Sequence, residues 1–349
     1  CPQVPETAWC APAKLYREAV SHSAWEAPDN YHFAGFLLVV AAGLGKSAYT
    51  TWAGDPIYPN VYFSLVGGLA GGYDLEMEQE AAIHLTERLS NGANPDVRWV
   101  GPISSKLDFI RGMCRLQREH PGLALHAVVA NSLYYSDFVE ESYRKNGGTV
   151  NRNIFLRSLF YRSEVERSFS YWRPKQTFVV NDPPAVCLLG TSRPDFLANL
   201  RKEQVHSGLA GHVMFVPGVP KPPIPRQHPP FNEPWTAVLQ GLKDVFEFWH
   251  DRGTTDLDFT EAAKDIWGPW YVAQEGEPET LFEKLSARHW VQMLKVAIIF
   301  AALDKSLALD VQHLEAAKSF VDFLVQSLDY ILAEAASSPS GAERNSAIV

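Results

Sequence analysis

From Asn30 to Ala42 the chain is almost wholly apolar, and Asp29 stands where a cap would open a helix running to about Ala42. Asn60-Val61-Tyr62-Phe63-Ser64-Leu65-Val66 is a short apolar, β-branched and aromatic run, which predicts a strand. It ends in Gly67-Gly68-Leu69-Ala70-Gly71-Gly72, after which Ala81, Ala82, Leu85 and Leu89 recur at helical spacing. Leu123 to Ala130 and Ala185 to Leu189 are two further buried-strand candidates. Continuous apolar strands separated by helical segments predict an α/β fold with a largely parallel sheet flanked by helices. Further on, Leu281 to Leu303 carries a wide apolar face. Val311, Leu314, Val321, Leu324, Val325, Leu328 and Leu332 repeat at helical spacing behind a capping Asp310. This last part predicts a helical C-terminal domain.

The sharpest boundary is Pro217 to Pro234, where eight of 18 residues are proline. Proline lacks the backbone donor that helices and sheets need, so the stretch predicts an extended connector. The resulting division is an N-terminal extension over 1–24, the α/β domain over 25–216, the linker over 217–234, a helical domain over 235–336 and a flexible tail over 337–349. No repeat at solenoid periods is visible.

Composition narrows the function classes. The chain has 349 residues, 46% of them hydrophobic, with 19 Phe, 13 Tyr and 10 Trp, enough to bury a sizeable core. The longest apolar run, Phe33 to Gly43, is short of the about 20 residues that span a bilayer, so no membrane partner is expected. The net charge of -9 does not favour nucleic acid over the surface as a whole. Cysteines at 1, 10, 114 and 187 have no metal or redox spacing and read as reduced thiols of a cytoplasmic protein. The chain opens on Cys1 without a basic-then-apolar leader, which reads as a fragment or a processed chain. HExxH and GxSxG motifs are absent, the 11 histidines are scattered, and His126 reads as a core residue. Glu76, Glu78 and Glu80 read as an acidic helix start favoured by the helix dipole.

The glycine segment is the first candidate site. A phosphate-binding loop is Gly-x-x-x-x-Gly-Lys-Ser/Thr between strand and helix, with amides cradling phosphate, the lysine reaching the terminal phosphates and the hydroxyl holding magnesium. Gly67, Gly71 and Gly72 lie in that context, but Tyr73 and Asp74 take the places of the lysine and hydroxyl. The loop keeps the shape of a nucleotide cradle without its chemistry; the alternative is a plain glycine-rich turn. Gly43-Leu44-Gly45-Lys46-Ser47 contains GKS but follows a helix, and reads as a C-cap glycine with a surface lysine.

The order of segments resembles a P-loop helicase-like family of undefined function that accompanies primase or primase–polymerase domains in phage, prophage and plasmid genes. The matching pieces are Ile57 to Tyr62 leading into the glycine segment, Leu189-Gly190-Thr191-Ser192-Arg193-Pro194-Asp195-Phe196, Ser207 to Pro217, and Ala287-Arg288-His289 through Lys295-Val296-Ala297. The resemblance implies a P-loop NTPase-like domain, ATP and magnesium as cofactors, and sensor-like roles for Thr191, Ser192 and Arg193. It implies that Arg288 and Lys295, seven apart on one helix face, point at a nucleotide or a neighbouring subunit; the plainer reading is solvated salt bridges. The departures are as informative. Ala127 to Ser132 offers no Walker B carboxylate, Asp137 being too far along, and Gly211-His212 stands where an acid and the arginine finger would be. Without lysine, acids and finger, no ATP hydrolysis is expected, and no cofactor is assigned from the residues themselves.

One segment opposes the acidic average. Residues 144–175 hold Arg144, Lys145, Arg152, Arg157, Arg162, Arg167, Arg173 and Lys175 against only Glu164 and Glu166, a net +6 that leaves about -15 for the rest. Phe155, Phe160, Tyr161, Phe169, Tyr171 and Trp172 are interleaved. Arginine with aromatics is the composition of a single-stranded DNA surface, where bases stack and phosphates pair. The alternative packs the aromatics in the core and pairs the arginines with acids. The functional expectation is a helicase-like component of mobile-element DNA replication without catalysis, partnered by single-stranded DNA, a primase or further copies of itself. The competing expectation is a non-catalytic scaffold subunit that binds no nucleic acid.

Overall fold

The computed structural model describes residues 1–21, 27–67, 76–94, 96–100, 106–119, 127–132, 160, 168–173, 176–181, 184–193, 209–218, 233–273 and 279–337. Strands β1 (Ala48–Trp52), β2 (Asp55–Ile57), β3 (Tyr62–Val66), β4 (Val97–Val100) and β5 (Ala127–Ser132) are followed by β6 (Ser168–Arg173), β7 (Gln176–Asn181), β8 (Ala185–Ser192) and β9 (Met214–Pro217). Helices α1 (Ala11–Ser21), α2 (Asp29–Leu44), α3 (Glu76–Ala93) and α4 (Lys106–Glu119) belong to this part. The C-terminal region is largely helical, with α5 (Glu233–Arg252), α6 (Glu261–Val272), α7 (Leu281–Ser286), α8 (His289–Leu303) and α9 (Val311–Ser337). Its three two-residue strands are β10 (Thr255–Asp256), β11 (Asp258–Phe259) and β12 (Ala308–Leu309).

The central sheet is wholly parallel, in the order β4-β5-β8-β3-β9. Every residue of β3, β8 and β9 is buried, as the near-continuous apolar sequences of a parallel sheet require. Tyr62 pairs with Leu188 and Val66 with Ser192, so the carboxyl ends of β3 and β8 are level. The chain leaving β3 travels to the β4 edge, whereas the chain leaving β8 crosses β3 to reach β9. That divergence makes the carboxyl ends of β3 and β8 the topological switch point of the sheet, where open α/β folds bind ligands.

Helix α2 is apolar around its whole circumference and buried on all sides. It lies on β3, β5, β8 and β9 and is enclosed by α1, α3, α5 and α8. Helix α9 covers β9, and Phe320 on α9 meets Phe33 on α2 at 5.1 Å between ring centroids. Val4, Trp9 and Tyr16, which precede residue 25, are buried in the same continuous hydrophobic core as the sheet and the C-terminal helices. The sheet is not the whole β content. β1 and β2 form an antiparallel hairpin to which β10 adds in parallel, β6 and β7 form another hairpin, and β11 pairs with β12.

Several boundaries differ from the sequence pattern. Pro28, not Asp29, occupies the N-cap of α2, and Asp29 sits in the first turn, favourable to the dipole. The apolar stretch from Leu281 to Leu303 is two helices, broken at Ala287 and Arg288. Asp310 does cap α9, its carboxylate accepting from the Val311 amide at 2.7 Å. Gly45 ends α2 with φ 54°, a left-handed value that glycine adopts without a Cβ clash, so the GKS tripeptide is the helix terminus expected of it. All four cysteines are free thiols. His126, residues 219–232 of the proline-rich stretch and the tail from 338 lie outside the described residues.

Candidate functional site

The switch point is built by four polar side chains set among apolar neighbours. Tyr31, in the first turn of α2, donates from its hydroxyl to the Val66 carbonyl at 2.8 Å. Burial pushes that phenol far above its ordinary value, so it stays a neutral donor. The Gly218 amide donates to the same carbonyl at 3.2 Å. Gln79, on the buried face of α3, donates to the Leu65 carbonyl at 2.9 Å. The Gly67 amide donates to the Ser192 carbonyl at 3.1 Å, and the Ser64 and Ser192 hydroxyls meet at 2.5 Å. Asn30 ties the neighbouring strand end down, donating to the carbonyls of Pro2 and Pro217 and accepting from the Val4 amide.

The candidate residues divide accordingly. Gly67 closes β3 as expected, but its amide is engaged by Ser192 and is not offered to a phosphate. Gly71, Gly72, Tyr73 and Asp74 lie outside the described residues. Thr191 and Ser192 do end β8 beside the glycine segment, both buried, and Arg193 follows them exposed. Arg152, Arg157, Arg162, Arg167 and Lys175 also lie outside the described residues, while the backbone of Arg173 ends β6 opposite Gln176. Tyr31, Ser64, Gln79 and Asn30 were not singled out from sequence. The signal was present: Ser64 interrupts an apolar strand, and Gln79 shares the helix face of Ala82 three residues on.

Arg288 and Lys295 separate. Arg288 is exposed at the N-cap of α8, but Lys295 is 1% exposed and buried in the core. The shared outward face expected of them does not exist, because α8 is buried along its length. The Lys295 amine donates to the Tyr58 carbonyl at 3.0 Å, the Asn60 side-chain oxygen at 2.5 Å and the Phe160 carbonyl at 2.9 Å. It also lies 4.0 Å from the centroid of the Phe160 ring. Burial pushes Lys295 down to about 7. Burial likewise pushes the nearby Cys187 thiol up to about 12, with Lys295 pulling it the other way.

A cleft of about 500 Å³ opens at the far end of α2 from Tyr31, between the ends of α2 and α3 and the side of α5. Asp96, Lys243, Glu247, His250 and Asp251 line it over the Phe246 ring. Among the described residues, no cluster of three His, Cys, Asp or Glu could hold a metal ion. Among the same residues, no helix is long and apolar enough to cross a membrane.

No protein-family model and no curated protein matches this chain.

The switch point therefore offers neutral dipoles. The described residues that build it place hydroxyls, an amide side chain and backbone carbonyls there, with neither a lysine nor a Walker-type acid pair among them. Glu78, in the first turn of α3 and acting on Tyr31, supplies a carboxylate of the chain's own at the helix end where a phosphate would sit. Such a site can hold a polar group by hydrogen bonds, and the described residues that build it include no cation to neutralise developing negative charge.

Proposed function

We propose that this chain is a helicase-like, P-loop-type module of mobile-element DNA replication that no longer hydrolyses nucleotide. The observation that supports this most is topological: β3 leads into Gly67, the first residue of the glycine segment, at the switch point formed by the carboxyl ends of β3 and β8, and α3 is the next described element. The absence of a P-loop lysine from the glycine segment, where Tyr73 and Asp74 stand, removes the charge neutralisation that phosphoryl transfer needs. Nucleotide that binds here is held by backbone amides alone, so its affinity does not depend on magnesium.

Calorimetry with ATP, with and without magnesium, alongside a phosphate-release assay, tests this. The expected result is magnesium-independent binding without phosphate release. Magnesium-dependent release of phosphate would overturn the loss of catalysis, and no heat up to millimolar ATP would remove the nucleotide cradle.

A second reading, a non-catalytic scaffold subunit, draws on the paired state of the switch point. Ser64 and Ser192 satisfy each other, and the Gly67 amide and the Val66 carbonyl are engaged internally. That arrangement suits a structural joint. It predicts an oligomer by light scattering and no affinity for single-stranded DNA; a monomer at high concentration that binds DNA would exclude it.

A further inference from the structure

We propose that the cleft at the far end of α2 is a binding site for a small aliphatic diamine or polyamine, whose ammonium groups meet its carboxylates while its methylenes lie on the Phe246 ring. The cleft opens at Gly43, twelve residues along α2 from Tyr31 of the switch point, a separation of roughly 18 Å along the helix axis. The inference is independent of whether nucleotide or DNA binds.

Three elements build the cleft. Helix α2 ends at it with Gly43, α3 ends at it with Asn91, Gly92 and Ala93, and α5 runs along its side. A Cβ on Gly43 would run into the Phe246 ring, and one on Gly92 would come to 2.9 Å from Leu239, so the two glycines let both helix ends close on α5. Asn94 braces the rim. Its side-chain amide donates to the Gly43 carbonyl at 3.3 Å, and its side-chain oxygen accepts from the Asp96 amide at 3.0 Å. One residue thereby ties the end of α2 to the backbone that carries Asp96. On α5, Lys243, Glu247 and Asp251 follow one another at a spacing of four residues, one helical turn, beside Phe246 and His250. The volume of about 500 Å³ falls within the range of about 300–1,000 Å³ that small-molecule sites occupy.

The field in the cleft is negative. Asp96, Glu247 and Asp251 stand against one lysine, Lys243. Among the described residues none of these four side chains makes an ion pair or a hydrogen bond, although Lys243 and Glu247 are one turn apart. The two helices that end here each present the negative end of their dipole. An incoming cation therefore displaces no internal partner of the carboxylates. The arrangement also selects the kind of cation. Among the described residues no three His, Cys, Asp or Glu converge on one point as a metal ion requires. Carboxylates held apart suit charges held apart: Glu247 and Asp251 are about 5–6 Å from each other along α5, and Asp96 comes from the α3 side. The Phe246 ring supplies apolar surface among them, which favours methylenes and an ammonium near its face.

The number of charges on the ligand matters. An aliphatic amine titrates near the lysine value of ~10.4, so a diamine carries two positive charges at neutral pH. One charge in an open cleft gains little, because water screens exposed pairs. Two charges on a short chain act together, since the first contact raises the effective concentration of the second. Lys243 is the cleft's own competitor, lying in the same row as Glu247 and Asp251. Removing its charge therefore strengthens binding, whereas removing a carboxylate weakens it. That opposition of sign belongs to a cation site and not to side chains that merely keep the surface hydrated.

Calorimetric titration of the full chain with 1,4-diaminobutane at pH 7.5 and low ionic strength tests the site. The expected result is saturable one-to-one binding that weakens with added salt. Butylamine, with one charge, should bind more weakly, and uncharged 1,4-butanediol should not bind. Asp96→Asn and Glu247→Gln should each weaken the diamine by about two- to fivefold, and Lys243→Met should strengthen it by about the same factor. None of the three side chains is buried, so the variants should keep the circular dichroism of the parent chain. No saturable heat up to millimolar diamine would overturn the site. Affinity unchanged in the Asp96→Asn, Glu247→Gln double variant would place the binding elsewhere and overturn it equally. Magnesium chloride that displaces the diamine more strongly than sodium chloride of equal ionic strength would overturn the choice of an organic cation.

Discussion

The hydroxyls of Ser64 and Ser192 meet at 2.5 Å across neighbouring strands, 128 residues apart in sequence and closed off from water. Each is the other's partner at the level where the glycine segment leaves the sheet. Removing one strands the other, which costs about 1–3 kcal/mol, whereas removing both leaves no orphan. Ser64→Ala and Ser192→Ala should each lower the urea midpoint, and the double variant should lose less than the sum of the two. Strict additivity in that cycle would mean the hydroxyls do not depend on each other.

Gly218 carries a steric prediction. A Cβ there would run into the Tyr31 ring and Pro28, beside the bond from Tyr31 to Val66. Gly218→Ala should destabilise by about 1–3 kcal/mol through overpacking. Tyr31→Phe, which keeps the ring and loses only the hydroxyl, should lose about 1 kcal/mol, since Val66 still accepts from the Gly218 amide. An unchanged denaturation midpoint in Gly218→Ala would show that the ring gives way freely.

His289, buried at the start of α8, sets the acid limit. Burial lowers it from its ordinary 6.5 to about 4. A base whose folded value is depressed stabilises fully above its unfolded value and loses that contribution as pH falls towards its folded one. Stability should thus decline between about pH 6.5 and 4, by roughly 3 kcal/mol for a shift of this size. Lys295 titrates above this window and adds no slope inside it. Chemical denaturation of His289→Gln at pH 7 and pH 4.5 should show a smaller acid loss than the wild type; equal losses would assign the acid slope to other groups.

The basic stretch makes a prediction about ligands. Arg152→Ala, Arg157→Ala and Arg167→Ala combined should weaken single-stranded DNA binding and flatten its salt dependence, because each phosphate contact contributes to the slope. Fluorescence anisotropy over a salt series measures both. Affinity and slope unchanged in the triple variant would exclude this surface.

The legible parts of the fold were those whose burial is uniform. β3 and β8 are apolar on both faces, so their sequences announce strands of a covered parallel sheet, and Asp310 with its apolar repeat announces α9. The break at Ala287 and Arg288 was not legible, because the apolar pattern continues through it without glycine or proline. Lys295 was misread by a rule that suits two-faced helices. Spacing of seven residues places it on the face of Arg288, but α8 has no polar face, so a lysine inside it is buried too. That clue lay in the flanking Met293, Leu294, Val296 and Ala297 rather than in the lysine. At the candidate site the glycine segment was legible as a motif, whereas the Ser64–Ser192 pair depends on a strand register no local pattern carries.

Helix α2 has a consequence for how the chain is made. It is apolar all round, and part of its cover is α8 and α9, which begin 245 and more residues after α2 ends. At a synthesis rate of roughly 5–20 residues per second, the wait for that cover is on the order of 10 to 50 s. During that interval a sticky helix has only its early neighbours, α1 and α3 among them, to shield it on the ribosome. The nascent chain is therefore most exposed to aggregation before residue 289 emerges, and a chaperone that binds apolar helices would act on residues 29–44 first.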